Sequence, residues 1–199
     1  TINSGEDRSA EFGALAHFGQ SEGVAGEGVG ERLKEEGAEK VVCLIHEAGN
    51  VGLEQRCQGV ADGFGGEVQN LQVDLNNPQG IQATVKSTLM GDDSIDTVVG
   101  LNPSVTTAAL AGVEETGEEI KVASFDIDAD VLAGIQDGTI LFTVDQQQYL
   151  QGYLPIAMLV LYHDNGNTLG GGHPVLTGPA FVDSENVDQV AEFVQAGTR

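Results

Sequence analysis

The feature that most constrains the fold of this chain is the alternation of short apolar runs with longer segments of helical periodicity. The segment Lys40–His46 is an almost continuous apolar run, which is the pattern of a strand buried on both faces. Predicted strands and helices then alternate through short connections, and this alternation is typical of a parallel sheet covered by helices on both sides. The sequence therefore predicts an α/β fold with a doubly wound parallel sheet.

The expected elements follow from this pattern together with the capping and turn residues between them. Thr1–Ser4 is interpreted as the end of a strand that runs into a loop. Strands are expected at 16–18, 40–46, 68–75, 97–101, 120–125 and 140–144. Helices are expected at 21–36, 52–64, 78–90, 104–116, 130–137, 149–163 and 184–196.

The charge balance excludes some classes of partner. The chain has 31 acidic and 8 basic side chains, a formal net charge of −23. A protein that binds nucleic acid regardless of sequence needs a basic surface, so we predict no nucleic-acid partner, and docking on an anionic membrane is disfavoured for the same reason. With 40% hydrophobic residues and no apolar run of membrane-spanning length, a soluble globular protein is predicted.

The beginning of the sequence has neither an initiator methionine nor a signal peptide. A strand end at residue 1 is an unusual place for a protein to start. We therefore interpret the sequence as a fragment or as a chain that lacks an upstream segment.

Polar residues follow nearly every predicted strand, where ligands bind in parallel α/β sheets. Most of them carry planar groups that suit bidentate hydrogen bonds to neighbouring hydroxyls. They are His46, Glu47, Asn50, Asp74, Asn76, Asn102, Asp126, Asp145 and Gln146. The alternative for each Asn and Asp is a helix cap or a turn, so only their convergence favours a binding site.

Cofactor and metal motifs are incomplete in this sequence. The glycine-rich segment Gly23–Gly30 misses the dinucleotide-binding spacing and lies within a predicted helix, so we interpret it as a small face for close packing. The segment Asp126–Asp130 begins like a calcium loop, but Val131 occupies the position of the turn glycine and Asp137 that of the bidentate glutamate. We predict no catalytic residue, no cofactor and no metal site.

A phosphatase is a minor alternative. Asp126 and Asp128 resemble the nucleophile pair of haloacid-dehalogenase-type phosphatases, and Gly91–Asp96 resembles their metal-binding motif. The order of the two motifs along the chain is reversed, however, and Asp92 precedes a strand instead of following one.

The two cysteines, Cys43 and Cys57, leave two interpretations open. Cys43 lies on a predicted strand and Cys57 about two turns into the next helix, so the two side chains can lie at matching levels. They form either a disulfide, which an oxidising compartment favours, or two small residues of the core.

Several short motifs, in their order and spacing, resemble one known family over essentially the whole chain. They are Thr1–Ser4, Glu47–Asn50, Gln55–Gly59, Gly100–Asn102, Ser124–Asp126, Ile135–Gly138, Asp145–Gln147, Gln146–Tyr153 and Thr177–Pro179. The chain is similar to the C-terminal two-thirds of the type I periplasmic sugar-binding proteins, the ribose-binding-like receptors of ABC importers. The resemblance implies a two-lobed fold with an incomplete first lobe.

The resemblance also implies a ligand site for a simple sugar or polyol. The residues that match its main sugar contacts are Arg56, Asn102, Asp126 and Gln146. Asn3 stands where ribose-type members often carry an aspartate. Glu47 and Asn76 occupy loop positions that are usually apolar or aromatic, and Phe125 is a candidate stacking face.

The resemblance divides the chain between the lobes. Residues 1–20 end the first lobe, residues 21–144 form the second lobe, residues 145–178 return to the first lobe, and residues 179–199 form the final crossover and helix of the second. On helix 149–163, apolar residues that lack an obvious cover are expected: Leu154, Ile156, Met158, Leu159 and Leu161.

The function implied is that of a receptor and not of an enzyme. The expected protein is a monomeric extracytoplasmic solute-binding protein, in the periplasm or as a cell-surface lipoprotein, and it delivers its ligand to an ABC-transporter permease by lobe closure. The alternative is the ligand-sensing core of a lac-repressor-type transcription regulator, which would dimerise.

Overall fold

Two separate sheets organise the protein in the computed structural model, which describes all 199 residues. The strands are β1 (Ile2–Asn3), β2 (Phe18–Gln20), β3 (Lys40–Ile45), β4 (Glu67–Gln72), β5 (Thr97–Gly100), β6 (Lys121–Phe125), β7 (Phe142–Asp145), β8 (Val175–Gly178) and β9 (Ala180–Asp183). The helices are α1 (Glu22–Glu35), α2 (Val51–Phe64), α3 (Pro78–Gly91), α4 (Pro103–Glu114), α5 (Ala129–Asp137), α6 (Gln148–Asn165) and α7 (Val187–Gln195).

The larger sheet has six strands in the order β4-β3-β5-β6-β7-β9. Its first five strands pair in parallel, and β9 pairs antiparallel with β7 at one edge. The smaller sheet has the order β1-β2-β8 and is parallel throughout. The predicted α/β class with mostly parallel strands is confirmed.

The strands β8 and β9 were not predicted from the sequence. Each has four residues, and Pro179 alone separates them, so the local pattern resembles a connection. The last helix also begins later than predicted, at Val187 instead of Ser184, because Asp183–Asn186 forms a turn in which Asn186 donates a hydrogen bond from its backbone N–H to the carbonyl oxygen of Asp183.

Both faces of the larger sheet are buried, which explains the apolar run of β3. Alternate residues of this strand enter two different cores: Val42 packs towards α3, α4, α5 and α7, whereas Cys43 packs towards α1 and α2. Successive side chains of a strand point to opposite faces, so a strand covered on both sides must be apolar at every position. The predicted doubly wound arrangement is therefore present.

Glycines allow α1 and α2 to pack with their backbones in contact. A Cβ atom added at Gly26 would collide with the carbonyl oxygen of Arg56, and one added at Gly59 would collide with the carbonyl oxygen of Gly23. Gly30 and Gly63 are enclosed in the same way. The interpretation of Gly23–Gly30 as a packing face is confirmed, and the close contact fixes the start of α1 against Arg56.

A disulfide joins Cys43 in β3 to Cys57 in α2, with an S–S distance of 2.01 Å and a Cα–Cα distance of 5.8 Å. Both cysteines are also fully buried in the core between the sheet and α1 and α2. Of the two interpretations of this pair, the structure contains the bridge.

Helix α6 presents an apolar surface to solvent, as predicted. Gln151 is its only buried residue, whereas Ile156 is 64% exposed and Leu159 is 55% exposed. Leu161 is also exposed, and Leu154 and Met158 are half-buried. None of the helices combines the length and hydropathy that crossing a membrane requires.

Candidate ligand-binding site

The candidate site is built around Asp126, at the carboxyl edge of the larger sheet. Its Oδ1 atom accepts hydrogen bonds from the side-chain amides of Gln146, at 2.6 Å, and Gln148, at 2.9 Å. Its Oδ2 atom accepts none. The structure therefore brings together two of the predicted contacts, Asp126 and Gln146, and leaves one carboxylate oxygen free to accept a hydrogen bond.

The backbone of Asp126 is left-handed, with φ of 66°. A non-glycine residue in this region is uncommon, and such conformations persist where surrounding contacts hold them. Two bonds to β7 hold this one: the Asp126 N–H donates to the carbonyl of Val144 at 2.7 Å, and the Asp126 carbonyl accepts from the hydroxyl of Thr143 at 2.6 Å. Asn3, the last residue of β1, shares the same conformation with φ of 67°.

Arg56 is buried at 7% exposure and forms a bidentate ion pair with Glu22. Its Nε donates to Oε2 of Glu22 at 2.6 Å, its Nη2 donates to Oε1 at 3.0 Å, and its Nη1 donates to the carbonyl of Leu101 at 3.2 Å. Three of the five guanidinium N–H groups are thus used, and two remain for a ligand. Glu22 was not predicted as a site residue.

Phe125 packs beside Arg56. Its ring is completely buried in the core, and the guanidinium carbon of Arg56 lies 4.9 Å from the ring centroid. The Arg56 cation therefore covers one face of this ring, and the stacking role of Phe125 stays a prediction.

The charges around Asp126 favour a neutral ligand. Burial raises the pKa of the Asp126 carboxyl; the positive charge of Arg56 and the hydrogen bond from Gln146 oppose this shift, while Glu22 and Asp145 add to it. The carboxylate is therefore short of stabilising partners. A hydroxyl donor would supply one, whereas an anionic ligand could donate no hydrogen bond to this carboxylate.

Two buried amide oxygens near this site have no hydrogen-bond partner, those of Gln20 and Gln146. Gln20 is 1% exposed and Gln146 is 3% exposed. A buried acceptor left unpaired costs about 1–3 kcal/mol, so such atoms need an explanation. Gln20 also donates to Glu22 at 3.1 Å, which connects it to the Arg56 ion pair.

Asn102 and Asn3 lie at strand ends with their side chains partly engaged. The oxygen of Asn102 caps α4 by accepting from the N–H of Ser104 at 2.9 Å, as the alternative interpretation of strand-end Asn residues predicts. Its amide nitrogen donates no hydrogen bond. Asn3, on the smaller sheet, donates to the side chain of Gln151 at 3.2 Å.

Glu47 and Asn76 lie apart from the Asp126 cluster. Both are exposed, and their side chains bond within their own loops: Glu47 accepts from Asn50 at 2.8 Å, and Asn76 donates to Asp74 at 3.3 Å. None of their hydrogen bonds reaches Arg56 or Asp126. No hydrogen bond therefore joins these two predicted contacts to the others, and their role in binding stays a prediction.

A cleft of about 770 Å³ adjoins the Arg56 ion pair. It lies between the loop Ser4–Arg8 and the first turns of α1 and α2, and Gln20 and Glu22 belong to its lining. Only two of its 18 lining residues are hydrophobic. Asp126 and Gln146 do not line it, whereas Glu22 lines it and pairs with Arg56.

The aspartates of the phosphatase alternative lie at opposite edges of the sheet. Asp92 precedes β5 and pairs with Lys40, at the start of β3, at 2.9 Å, whereas Asp126 follows β6. Asp128 caps α5 by accepting from the N–H of Val131 at 2.8 Å. The nucleophile and metal motifs of that alternative are therefore not assembled.

Comparison with known proteins identifies the family. Residues 1–167 match the family model described as the periplasmic binding protein domain. The match covers most of the chain, and the protein therefore belongs to the periplasmic binding proteins. No curated protein sequence matches the chain.

Solved structures support the same assignment. A carbohydrate transporter from Acidothermus cellulolyticus, solved in complex with myo-inositol, is 41% identical with a TM-score of 0.93, and the match covers 100% of this chain and 69% of that one. A periplasmic sugar-binding protein of an ABC transporter from Legionella pneumophila shares the fold at 22% identity and a TM-score of 0.78, over 89% of this chain and 67% of that one.

A third structure is an ABC-transporter solute-binding protein from Agrobacterium vitis with bound D-fucose. It shares the fold at 19% identity and a TM-score of 0.78, over 94% of this chain and 67% of that one. These similarities to transport receptors support the receptor interpretation and not the transcription-regulator alternative.

Proposed function

We propose that this protein is the receptor of a sugar ABC importer and that it binds a simple sugar or polyol between its two sheets. The observation that carries the proposal is the Asp126–Gln146 pair. It places a half-buried carboxylate with one free oxygen beside a buried amide oxygen without a partner, directly after two adjacent parallel strands. Both free atoms are acceptors, which hydroxyl donors would satisfy.

A cyclic polyol fits the donors and acceptors of this site. Each hydroxyl both donates and accepts, so neighbouring hydroxyls can donate to Asp126 and Gln146 and accept from the two remaining N–H groups of Arg56. The shortage of stabilising partners around Asp126 favours such a neutral donor over an acid or a phosphate. The 41% identical relative that contains myo-inositol supports the choice of this compound as the first ligand to test.

The predicted contacts take different roles in this proposal. Arg56, Asp126 and Gln146 bind the ligand, and the free amide of Asn102 donates to it from the next strand. Asn3 approaches from the smaller sheet. Glu47 and Asn76 lie on outer loops of the larger sheet, and we propose that they meet the ligand only in a closed form.

Lobe closure follows from the division of the chain between two sheets. We propose the boundaries 1–20, 21–144, 145–178 and 179–199, so that the first and third segments form one lobe and the others form the second. The exposed apolar face of α6 then belongs to the first lobe. This chain spans 69% of the length of the inositol-bound relative.

The location and partners proposed follow from the family. The receptor works outside the cytoplasm, in the periplasm or as a cell-surface lipoprotein, as a monomer that presents its closed form to a membrane permease. The Cys43–Cys57 disulfide supports this location, since such bonds persist in oxidising compartments.

Isothermal titration calorimetry with myo-inositol tests the proposal. We expect the wild-type chain to bind and Asp126→Ala to lose about 100-fold or more in affinity. Asp74→Ala should bind normally, because Asp74 follows β4, at the far edge of the same sheet, and bonds only within its own loop. Unaltered affinity of Asp126→Ala would contradict the site. Absence of binding by the wild type to myo-inositol and to a panel of simple sugars would contradict the receptor function.

The ligand should also leave the protein chemically unchanged. We expect the proton NMR spectrum of myo-inositol to be identical before and after long incubation with the protein, since a receptor releases what it binds. Appearance of a product would indicate an enzyme.

A further inference from the structure

The last residue of the sequence, Arg199, forms an ion pair with Asp145 at the end of β7. The Nε of Arg199 donates to Oδ2 of Asp145 at 2.7 Å. Asp145 is completely buried, whereas the Arg199 side chain is 26% exposed. Because a buried carboxylate without a partner is strongly destabilising, Arg199 compensates a charge that the fold could otherwise hardly accommodate.

The second oxygen of Asp145 holds the turn that leads from β7 into α6. Its Oδ1 accepts from the backbone N–H of Gln147 at 2.7 Å. Gln147 has a left-handed backbone with φ of 54°, and its side chain donates to the carbonyl of Thr177 at 2.6 Å. The Asp145 carboxylate therefore fixes an unusual backbone conformation at the point where the chain crosses between the two sheets.

The same turn carries both residues that donate to Asp126. Gln146 precedes Gln147 and Gln148 follows it, and both amides reach Oδ1 of Asp126. A continuous path of hydrogen bonds and backbone thus runs from Arg199 through Asp145 and the turn to the candidate ligand carboxylate. We infer that Arg199 is a positioning residue for the ligand site, acting through Asp145 on the placement of Gln146 and Gln148; this rests on the function proposed above.

By neutralising Asp145, Arg199 also favours the ionised form of Asp126. Three charged groups act on the Asp126 carboxyl: Arg56 from α2, which opposes the rise of its pKa, and Glu22 from α1 and Asp145 from β7, which add to it. Without Arg199, the charge of Asp145 would be uncompensated next to Asp126. The ionised Asp126 that accepts a ligand hydroxyl would then be less favourable.

The variant Arg199→Gln tests the inference, with Arg32→Gln as its matched control. Arg32 pairs with Asp183 at 2.9 Å, so the control also breaks a partly buried Arg–Asp pair, but one without a bond to the Gln146–Gln148 turn. We expect Arg199→Gln to lower the affinity for myo-inositol about tenfold and to shift the side-chain amide NMR resonances of Gln146 and Gln148. Arg32→Gln should lower the melting temperature and leave both readouts unchanged.

The double variant Arg199→Gln/Asp145→Asn separates positioning from general destabilisation. An Asn oxygen still accepts from the Gln147 N–H, and the buried charge is gone, so affinity and both amide resonances should return towards the wild type. If Arg199→Gln does not fold, the double variant provides the test. A folded double variant with wild-type amide resonances of Gln146 and Gln148 supports the inference, and one with displaced resonances overturns it. Wild-type affinity and resonances in Arg199→Gln also overturn it.

The two readouts distinguish failure of this inference from failure of the proposed function. If the wild type does not bind myo-inositol or simple sugars, the receptor proposal fails. The amide resonances still report, without ligand, whether Arg199 sets the positions of Gln146 and Gln148.

Discussion

Arg56 donates two hydrogen bonds to Glu22, at 2.6 and 3.0 Å, across the glycine-lined contact between α1 and α2. The guanidinium is therefore oriented by a neighbouring helix and by the Leu101 carbonyl before any ligand arrives. Asp126 is held separately by the amides of Gln146 and Gln148. Other groups thus hold Arg56 and Asp126 in place, and each keeps unused hydrogen-bonding atoms for a ligand. A preorganised receptor needs this arrangement.

The Arg56–Glu22 pair should contribute strongly to stability because both side chains are almost completely buried. We expect Glu22→Ala to lower the free energy of unfolding by about 3–5 kcal/mol, since it leaves the guanidinium without its partner. Glu11→Ala is the control: the Arg8–Glu11 pair is exposed, and its loss should change stability by less than about 1 kcal/mol. Urea denaturation measures both values, and equal effects of the two substitutions would refute this assignment.

The contact between α1 and α2 should tolerate no side chain at Gly26. A methyl group there meets the backbone carbonyl of Arg56, so we expect Gly26→Ala to destabilise the protein by about 1–3 kcal/mol or more. Gly23 lies on the same helix with open space where its Cβ would be, and Gly23→Ala should be neutral or stabilise by up to about 1 kcal/mol. Thermal melting compares the pair, and a harmless Gly26→Ala would show that the helices are further apart.

Asp126 should weaken the folded state at neutral pH. Burial raises the pKa of its carboxyl above the ordinary 3.8, so the folded state prefers the protonated form. The stabilising contribution of the protonated carboxyl is complete below 3.8 and is lost as pH rises through the raised value. We therefore expect Asp126→Asn to be more stable than the wild type at neutral pH.

This advantage should shrink as the pH falls from the raised pKa of Asp126 towards 3.8, because the carboxyl of the folded wild type becomes protonated over that range. Urea denaturation at several pH values measures the difference between the two proteins. A variant that is less stable than the wild type at neutral pH would mean that the Asp126 carboxylate is well stabilised by its surroundings. Asp126→Asn should still impair ligand binding, because we propose that Asp126 serves ligand binding and not stability.

The disulfide between Cys43 and Cys57 closes a segment with a sequence separation of 14 residues. Chain-entropy arguments give about 3 kcal/mol for a loop of this size. We expect reducing agent to lower the melting temperature of the wild type and to leave the double variant Cys43→Ala/Cys57→Ala unaffected. A wild-type melting temperature that does not respond to complete reduction, verified by thiol titration, would contradict a stabilising bridge.

The elements that are visible in the sequence are those whose pattern is local. The β3 run predicts a doubly covered strand, and the position of Asp126 and Gln146 after strands predicts their convergence, because carboxyl ends of parallel strands share an edge. The short strands β8 and β9 cannot be predicted from a local pattern. Their pairing with β2 and β7 depends on residues far away in the chain, and four residues next to a Gly-Pro step resemble a loop.

The part of the site that sequence reasoning missed depends on long-range pairing. In the sequence, Glu22 is one acidic residue in the first turn of a helix. Only the packing of α1 on α2 brings it to Arg56, 34 residues away. Arg199 meets Asp145 from 54 residues away. No local pattern marks such pairs. Likewise, only the tertiary structure shows that Arg56 lies over the ring of Phe125.

A crystal structure of the protein grown with myo-inositol tests the central claim most directly. The account predicts a ring hydroxyl within hydrogen-bond distance of the free Oδ2 of Asp126, with further hydroxyls on Arg56 and the side-chain oxygen of Gln146, and an intact Arg56–Glu22 pair behind them. Inositol bound elsewhere, with Oδ2 of Asp126 still unpaired, would contradict it.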